Sequence, residues 1–353
     1  MKQQIINKLS QFNIIGLGEN SHYVNFPTKY RLELFKSLTY QSNFNIIFFE
    51  TDIFYASIIN AYIHSYITTD PQIIVENLFY MWRSNIIVDF IKWAREYNSQ
   101  VDQIKKIHFL GYDSQNPFVF RKNKVIKKYI IKDSKYYYKK IFNVNEKTIN
   151  KLFELYSSGY EKKYGDSKLY DKHREKISFD IFMFHYNHIL PKNKKIFILA
   201  HQSHLSKIKS ESFPHGPFGY FIYKKFKNKY YSIAMDILSG KLACNAVLKG
   251  ININYGIKIK KAFEVTLIDN NYHYSNECDQ KSDQYSINPL KYHDAVLVFT
   301  NDTPYTINYS TKYKQILKKI SYFFNKNKQF KILKFYQKYH VDIPIKYINY
   351  FTK

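Results

Sequence analysis

Cysteine is nearly absent: Cys244 and Cys278 are the only two in 353 residues. Two thiols cannot build the disulfide framework of a small secreted domain, and neither stands with histidine at zinc-finger spacing. Long apolar runs are missing too. No stretch reaches the roughly 18 apolar residues that would span a bilayer. The opening MKQQIINKLSQFNIIGLGE holds neither a continuous apolar h-region nor an A-x-A cleavage site. The expectation is therefore a soluble, cytoplasmic protein in a reducing compartment. Internal repeats and low-complexity linkers are also lacking. Acidic residues are scarce, 28 against 54 Lys and Arg, which leaves a formal charge of +26.

Apolar residues at 45% and charged residues at 23% are ordinary for a globular chain, which argues against disorder. The length suits one large α/β domain or two ordinary ones, and either buries enough apolar surface to fold unaided. The positive charge has two readings. One is an electrostatic partner such as nucleic acid, an anionic membrane or an acidic substrate. The other is compositional, since Lys, Asn, Ile, Tyr and Phe rise together in YYYKK and FFNKNKQFK, as AT-rich coding produces.

Along the chain, an amphipathic helix is predicted over about 3–10, then an apolar strand FNIIGLG running into a glycine-containing loop. PTKYRLELFKSLTYQ follows, with Leu32, Phe35 and Leu38 at helical spacing behind Pro27, and then the apolar strand NIIFFE. Strand, helix, strand is a βαβ unit. Further strands are predicted at KIHFLGYD, KIFILAH, YYSIAMDI and DAVLVFTND, with a helix around IIVDFIKWAREYN. The fold class is α/β: a mixed, largely parallel central sheet flanked by helices, with an inserted helical subdomain. Its expected organisation is a first part of the core over 1–117, a helical insertion or lid over 118–190, a second part of the core over 191–308, and a basic helical tail over 309–353.

A parallel sheet buried on both faces gathers its chemistry at the carboxyl ends of its strands. Glu19 and His22, three residues apart in GLGENSH, sit at such an end. A carboxylate beside an imidazole sets its tautomer and supports its cation, which a general base for water requires; the pair is also readable as a turn or cap. Glu50 ends FFE and either faces the site or, with Thr51 or Asp52, caps the next helix. In AHQSH, His201 and His204 stand at i and i+3 directly after an apolar strand. Asp113 and Gln115 in GYDSQ are either orienting hydrogen-bond groups or parts of a turn. Two carboxylates and three imidazoles delivered by separate strands to one edge make a hydrolytic or metal constellation.

The ordered motifs GLGENSH with Arg31, FFE, WRSNIIVDFIKWAREYN, FLGYDSQ, LAHQSH, HGPFGYFIYKKFKNKYYSIAMDILSGK and YHDAVLVFTNDTP resemble those of the erythromycin esterase family. The resemblance implies that His22 is the general base that activates water against an ester or lactone carbonyl. It implies that Glu19 and Glu50 are its acidic partners, and that His201 and His204 are the family's paired histidines. It places Arg31, Asp113, Gln115, Gln202 and His215 at the substrate, with Gly216 bordering the cleft. Gln202 stands where the family usually has Asn. The substrate implied is a small-molecule ester or lactone, a macrolide or another natural product, and the family's range extends from antibiotic resistance to biosynthesis.

No cofactor is expected, and neither nucleic acid nor membrane is an expected partner. The competing mechanism is metal-dependent hydrolysis, in which Glu19, His22, Glu50, His201 and His204 would supply N and O ligands to a divalent cation. Acyl transfer or cyclisation on the same site is a further alternative. A basic nucleic-acid-binding protein, using the Lys/Tyr-rich segments at 121–142 and 312–339, is the alternative from another class. Trp82 and Arg83 are read as core and cap, and Arg95 and Asn98 as structural.

Overall fold

Runs of Ile, Leu and Phe too apolar to leave either face in water become the strands, and amphipathic segments between them become helices. The computed structural model describes residues 3–19, 25–75, 82–113, 124–161, 167–237, 240–241, 256–257, 265–269 and 292–299. His22, Gln115 and the expected tail at 309–353 lie outside them.

In chain order the first elements are α1 (Gln3–Leu9), β1 (Ile14–Glu19), α2 (Asn25–Ser42), β2 (Phe44–Phe49), α3 (Ile53–Ile63), α4 (Pro71–Val75), α5 (Asn85–Gln100) and β3 (His108–Gly111). The helices α6 (Lys124–Phe142), α7 (Glu146–Glu161) and α8 (Ser167–His188) follow. The chain then runs through β4 (Lys195–His201), α9 (Gln202–Leu205), α10 (Phe218–Phe226), β5 (Tyr230–Ile237), β6 (Gly240–Lys241), β7 (Gly256–Ile257), β8 (Val265–Asp269) and β9 (Ala295–Phe299). The chain divides into two compact units, 1–50 with 161–306 and 51–160 with 307–353. Of the segment expected as an insertion, α8 belongs to the first unit and α6 to the second.

In the first unit the strands lie in the order β2-β4-β1-β5-β9-β8. The pairs β2/β4, β4/β1, β1/β5 and β5/β9 are parallel, so five strands run one way, and β8 pairs antiparallel with β9. This is the mixed, largely parallel sheet read from the apolar runs. Residues paired across parallel strands share a face, and successive residues alternate faces. Ile15, Ile47 and Phe197 thus lie on one face, where Phe197 meets Phe35 of α2 with ring centroids 5.6 Å apart. Phe48 lies on the other, 5.1 Å from Phe182 of α8. All are buried. Removing a phenylalanine ring from such a position costs about 3–5 kcal/mol.

Two details of β1 differ from the expectation of a glycine loop. Glu19 is the last residue of the strand, and Gly16 and Gly18 are inside it. Their role is close approach on the α8 face: a Cβ on Gly18 would stand 2.4 Å from Gln202 Cα, and one on Gly16 would stand 2.7 Å from the Tyr230 hydroxyl. Glycine here lets α9 lie directly on the sheet. At the other end of the βαβ unit, α2 stops because Asn43 takes the left-handed conformation (φ 58°) and Thr39 donates its hydroxyl to the Phe35 and Phe44 carbonyls.

In the second unit, Asp52 caps α3 by accepting from the Phe54 and Tyr55 amides at 2.8 and 3.0 Å. Asn60 then accepts from Phe109 of β3, and Asn98 of α5 both donates to the Ile63 and Ile107 carbonyls and accepts from the Ile107 amide. Arg95 donates to the Tyr62 and Ile67 carbonyls. Arg95 and Asn98 are structural, as read. Trp82 and Arg83 are buried, and the residue that caps α5 is Ser84.

Candidate active site

With Asp52 serving as the cap of α3, the carboxylate of Glu50 is left to the carboxyl edge of the sheet. There it accepts from three groups. Its Oε2 takes the His201 backbone N–H at 2.8 Å, and its Oε1 lies 2.9 Å from Arg174 Nη2 and 3.3 Å from His204 Nε2. Glu50 and Arg174 are 3% and 7% exposed, so the pair is desolvated and each charge depends on the other.

His204, on the short helix α9, is held at both ring nitrogens. Nδ1 lies 2.9 Å from Glu175 Oε1, and Phe213 packs edge-on against the ring at 5.2 Å. Burial works against the imidazolium and Arg174 adds to that, but the Glu175 and Glu50 carboxylates outweigh both and raise the His204 pKa above its ordinary value. Glu175 is shifted the other way: burial pushes it up, while His204, Arg174 and the Phe218 amide together bring it below the usual carboxylate value. The two shifts have one origin: the Glu175 and Glu50 carboxylates favour the imidazolium of His204, and His204 and Arg174 in turn favour the Glu175 carboxylate.

His201 is different. It ends β4 and caps α9, with Nδ1 facing the Ser203 hydroxyl at 2.7 Å and the Ser203 amide at 3.4 Å. Since the amide only donates, the hydrogen-bond pattern assigns Nδ1 as an acceptor and leaves the proton on Nε2. The His201 ring centroid lies 6.4 Å from that of His204. Both ring nitrogens of His204 face protein groups, Glu175 at Nδ1 and Glu50 with Arg174 at Nε2, and His201 turns its Nδ1 to Ser203.

Glu19 pairs in register with His201 across β1 and β4, and its carboxylate binds Arg31 of α2. Arg31 Nη2 also reaches the Thr28 hydroxyl at 3.3 Å. By strand alternation Glu19 belongs to the α2 face and Glu50 to the α8 face, so the edge holds two charge clusters, one on each side of the sheet. Of the substrate positions, Gln202 opens α9 with its Oε1 buried and without a hydrogen-bond partner. His215 is exposed in the turn before α10, beside Gly216 at φ 100°. Asp113 is buried in the second unit, where its amide donates to the Thr51 carbonyl.

Arg174 and Glu175 escaped the sequence reading. They extend the buried stripe of α8, Ser178, Ile181, Phe182 and His185, one turn toward its start. A charged pair continuing an apolar stripe was the available signal.

A second cluster near β5 has the residue types of a nucleophilic triad without its wiring. Ser232 Oγ lies 2.8 Å from the Leu205 carbonyl, which can only accept, so the hydroxyl proton points there. His293 Nδ1, 2.7 Å from the same oxygen, must then be the donor, and burial pushes its pKa down to about 3. Asp294 binds Lys207 and the Ser232 amide. This is a structural network. Among the described residues no three His, Cys, Asp or Glu side chains group as metal ligands, and no described helix is long and apolar enough to cross a membrane.

The fold and this edge define an α/β protein with a buried carboxylate–imidazole centre at the carboxyl ends of its parallel strands. Residues 40–141 match the erythromycin esterase family, a span that takes in FFE, WRSNIIVDFIKWAREYN and FLGYDSQ. The chain is similar in fold to a Bacillus cereus protein of known crystal structure, with a TM-score of 0.63 and 15% identity over 87% of this chain and 93% of that one. It is likewise similar to a succinoglycan biosynthesis protein, with a TM-score of 0.62 and 15% identity over 87% and 92%. A third similar structure is an erythromycin esterase, EreC, carrying a histidine-to-asparagine substitution in its open conformation, with a TM-score of 0.51 and 16% identity over 87% and 95%. No curated protein matches the chain in sequence. GLGENSH and LAHQSH lie outside the matched span, so their reading rests on the strand ends and the shared fold.

Proposed function

We propose that the protein is a hydrolase of the erythromycin esterase type, which attacks the carbonyl of a small-molecule ester or lactone with an activated water. The family match over 40–141 supports hydrolysis at the coarser level. The observation that carries the mechanism is the placing of His204 between Glu175 and Glu50 at the sheet edge, with the His201 ring beside it.

A tetrahedral intermediate places negative charge on the former carbonyl oxygen, and preformed cations and N–H donors stabilise it. His204, set between its two carboxylates, and the Nε2–H of His201 are read as such groups, and Arg174 and Arg31 orient the flanking carboxylates. The proton-abstracting role then falls to His22, three residues beyond Glu19. Glu19, held by Arg31, is its acidic partner in this reading. His201 and His204, as arranged, turn their lone pairs or protons to protein partners, which favours water activation by imidazole over a cation held at these residues.

Purified protein is assayed on a panel of esters and lactones, macrolides included, beside His22→Ala and His204→Gln, with and without a chelator. The expected result is hydrolysis that resists chelation and is lost in both variants. Activity retained in His22→Ala removes it as the base. Loss of wild-type activity on chelation moves the site to a metal mechanism.

A further inference from the structure

Helix α10 begins in an unusual way. Its cap position is Pro217, which offers no side-chain acceptor, yet the N–H of Phe218 is satisfied: it donates to Glu175 Oε2 at 2.7 Å. A carboxylate from α8 thus caps a helix 43 residues away, where a local Ser, Thr, Asp or Asn would ordinarily do so. The other oxygen of that carboxylate, Oε1, holds His204 Nδ1 at 2.9 Å. Glu175 is 2% exposed, so water does not share either bond.

Between the two groups that Glu175 joins runs the segment 206–217, from the end of α9 to the start of α10. It returns to the site through Phe213, whose ring packs edge-on against His204. The segment is held elsewhere by a turn in which Gly216 and Ser210 bond to Phe213, and Gly219 of α10 sits so close to α9 that a Cβ would stand 2.3 Å from the Leu205 carbonyl oxygen. One buried carboxylate therefore sets the ring plane of His204 and the seat of the helix that closes this loop.

We propose that Glu175 is a positioning residue that couples His204 to the 206–217 segment, so that the imidazole is correctly oriented only while α10 and the Phe213 loop are seated. The inference rests on the hydrolase reading for its kinetic consequence but not for its structural one. A carboxylate accepts at both oxygens. Glu175→Leu, close in size to the native side chain, can satisfy neither the Phe218 amide nor Nδ1 of His204.

The test follows the ring nitrogens of His204 by NMR in histidine-labelled protein, with the signals assigned through His204→Gln, and backbone hydrogen exchange over 206–218. In Glu175→Leu the ring nitrogen shifts change and exchange over 206–218 speeds up by at least about tenfold, while α5 keeps its protection. If the ring signals and the exchange are unchanged, or if only one of them moves, the coupling does not exist. Glu175→Asp, which keeps the charge but is one methylene too short to reach both partners, gives the same two readouts where the leucine variant does not fold. On an ester that the wild type hydrolyses, kcat falls by about tenfold or more with KM within roughly twofold, as expected for a group acting on a transition-state interaction. An inactive wild type whose two structural readouts respond as stated refutes the hydrolase reading and leaves the role of Glu175 standing.

Discussion

Gly18 of β1 lies so close beneath Gln202 of α9 that an added Cβ would stand 2.4 Å from the Gln202 Cα and 2.9 Å from its amide nitrogen. The obstacle is backbone, which cannot rotate away as a side chain does. Gly18→Ala is therefore expected to lift α9 from the sheet and displace His201 and His204 together. Overpacking of this kind costs about 1–3 kcal/mol. Urea unfolding measures it, and an unchanged midpoint with unchanged activity would show that α9 does not rest on the sheet as described.

Glu50 satisfies Arg174, His204 and the His201 amide at once. Glu50→Ala removes the carboxylate that lies 2.9 Å from the buried Arg174 guanidinium, a loss of about 3–5 kcal/mol. Glu50→Gln preserves shape and one acceptor, so it should be the more stable of the two while still losing most activity. Thermal unfolding of both variants beside the wild type checks the order; equal stability would mean that Arg174 finds another partner.

Asp52 is pushed up to about 7 by burial, against its two backbone hydrogen bonds, with the Asp113 charge adding to the rise. A folded pKa above the unfolded one contributes stability that is complete below the unfolded value, about 3.8, and is lost as pH rises through about 7. Asn caps helices as well as Asp does and has no charge to bury. Asp52→Asn should thus match the wild type near pH 4 and exceed it by roughly 1–2 kcal/mol at pH 8. Unfolding midpoints at the two pH values decide the matter, and a less stable variant at pH 8 would contradict it.

Three buried histidines and the half-buried His64 are pushed toward the neutral form, chiefly by desolvation: His64 and His185 are lowered to about 4, His293 to about 3, and His108 well below its ordinary value. Their folded pKa values lie below the unfolded 6.5, so their contribution is complete above that value and is lost as pH falls from about 6.5 toward 4. His108 stacks between His64 and Phe142, with centroids at 4.9 and 4.8 Å, and its Nδ1 has no partner. His108→Phe keeps the stack and removes one proton-uptake site. Stability measured from pH 7 to 5 should fall less steeply in this variant; an unaltered slope would clear His108 of any part in acid unfolding.

Much of the architecture was legible because a strand buried on both faces must be apolar throughout. IIGLG, NIIFF, KIFILA and YYSIAM announced the parallel sheet, and the first polar residue after each run marked the reactive edge. Glu50 and His201 were placed at the carboxyl edge this way, and Glu19 and His201 do occupy paired positions on adjacent strands. GLGENSH reads as a glycine-containing loop after the strand, but Gly16 to Glu19 are still strand. The spacing of the glycines says only that side chains are unwelcome; the reason, α9 lying on Gly18 and Tyr230 over Gly16, belongs to elements about 180 to 215 residues further on.

The sequence by itself determined which segments must be buried and where polar chemistry must emerge, since hydrophobic periodicity is a local property. Partner choice is not local. Glu50 meets Arg174 across 124 residues of chain, and only their mutual desolvation makes either one indispensable. Likewise the same AHQSH motif admits a base, a cation or a ligand at each histidine. Glu175 and Glu50 favour the cation at His204, and the Ser203 amide favours an accepting Nδ1 at His201, because a proton's position follows the charges and donors that the folded chain sets around it.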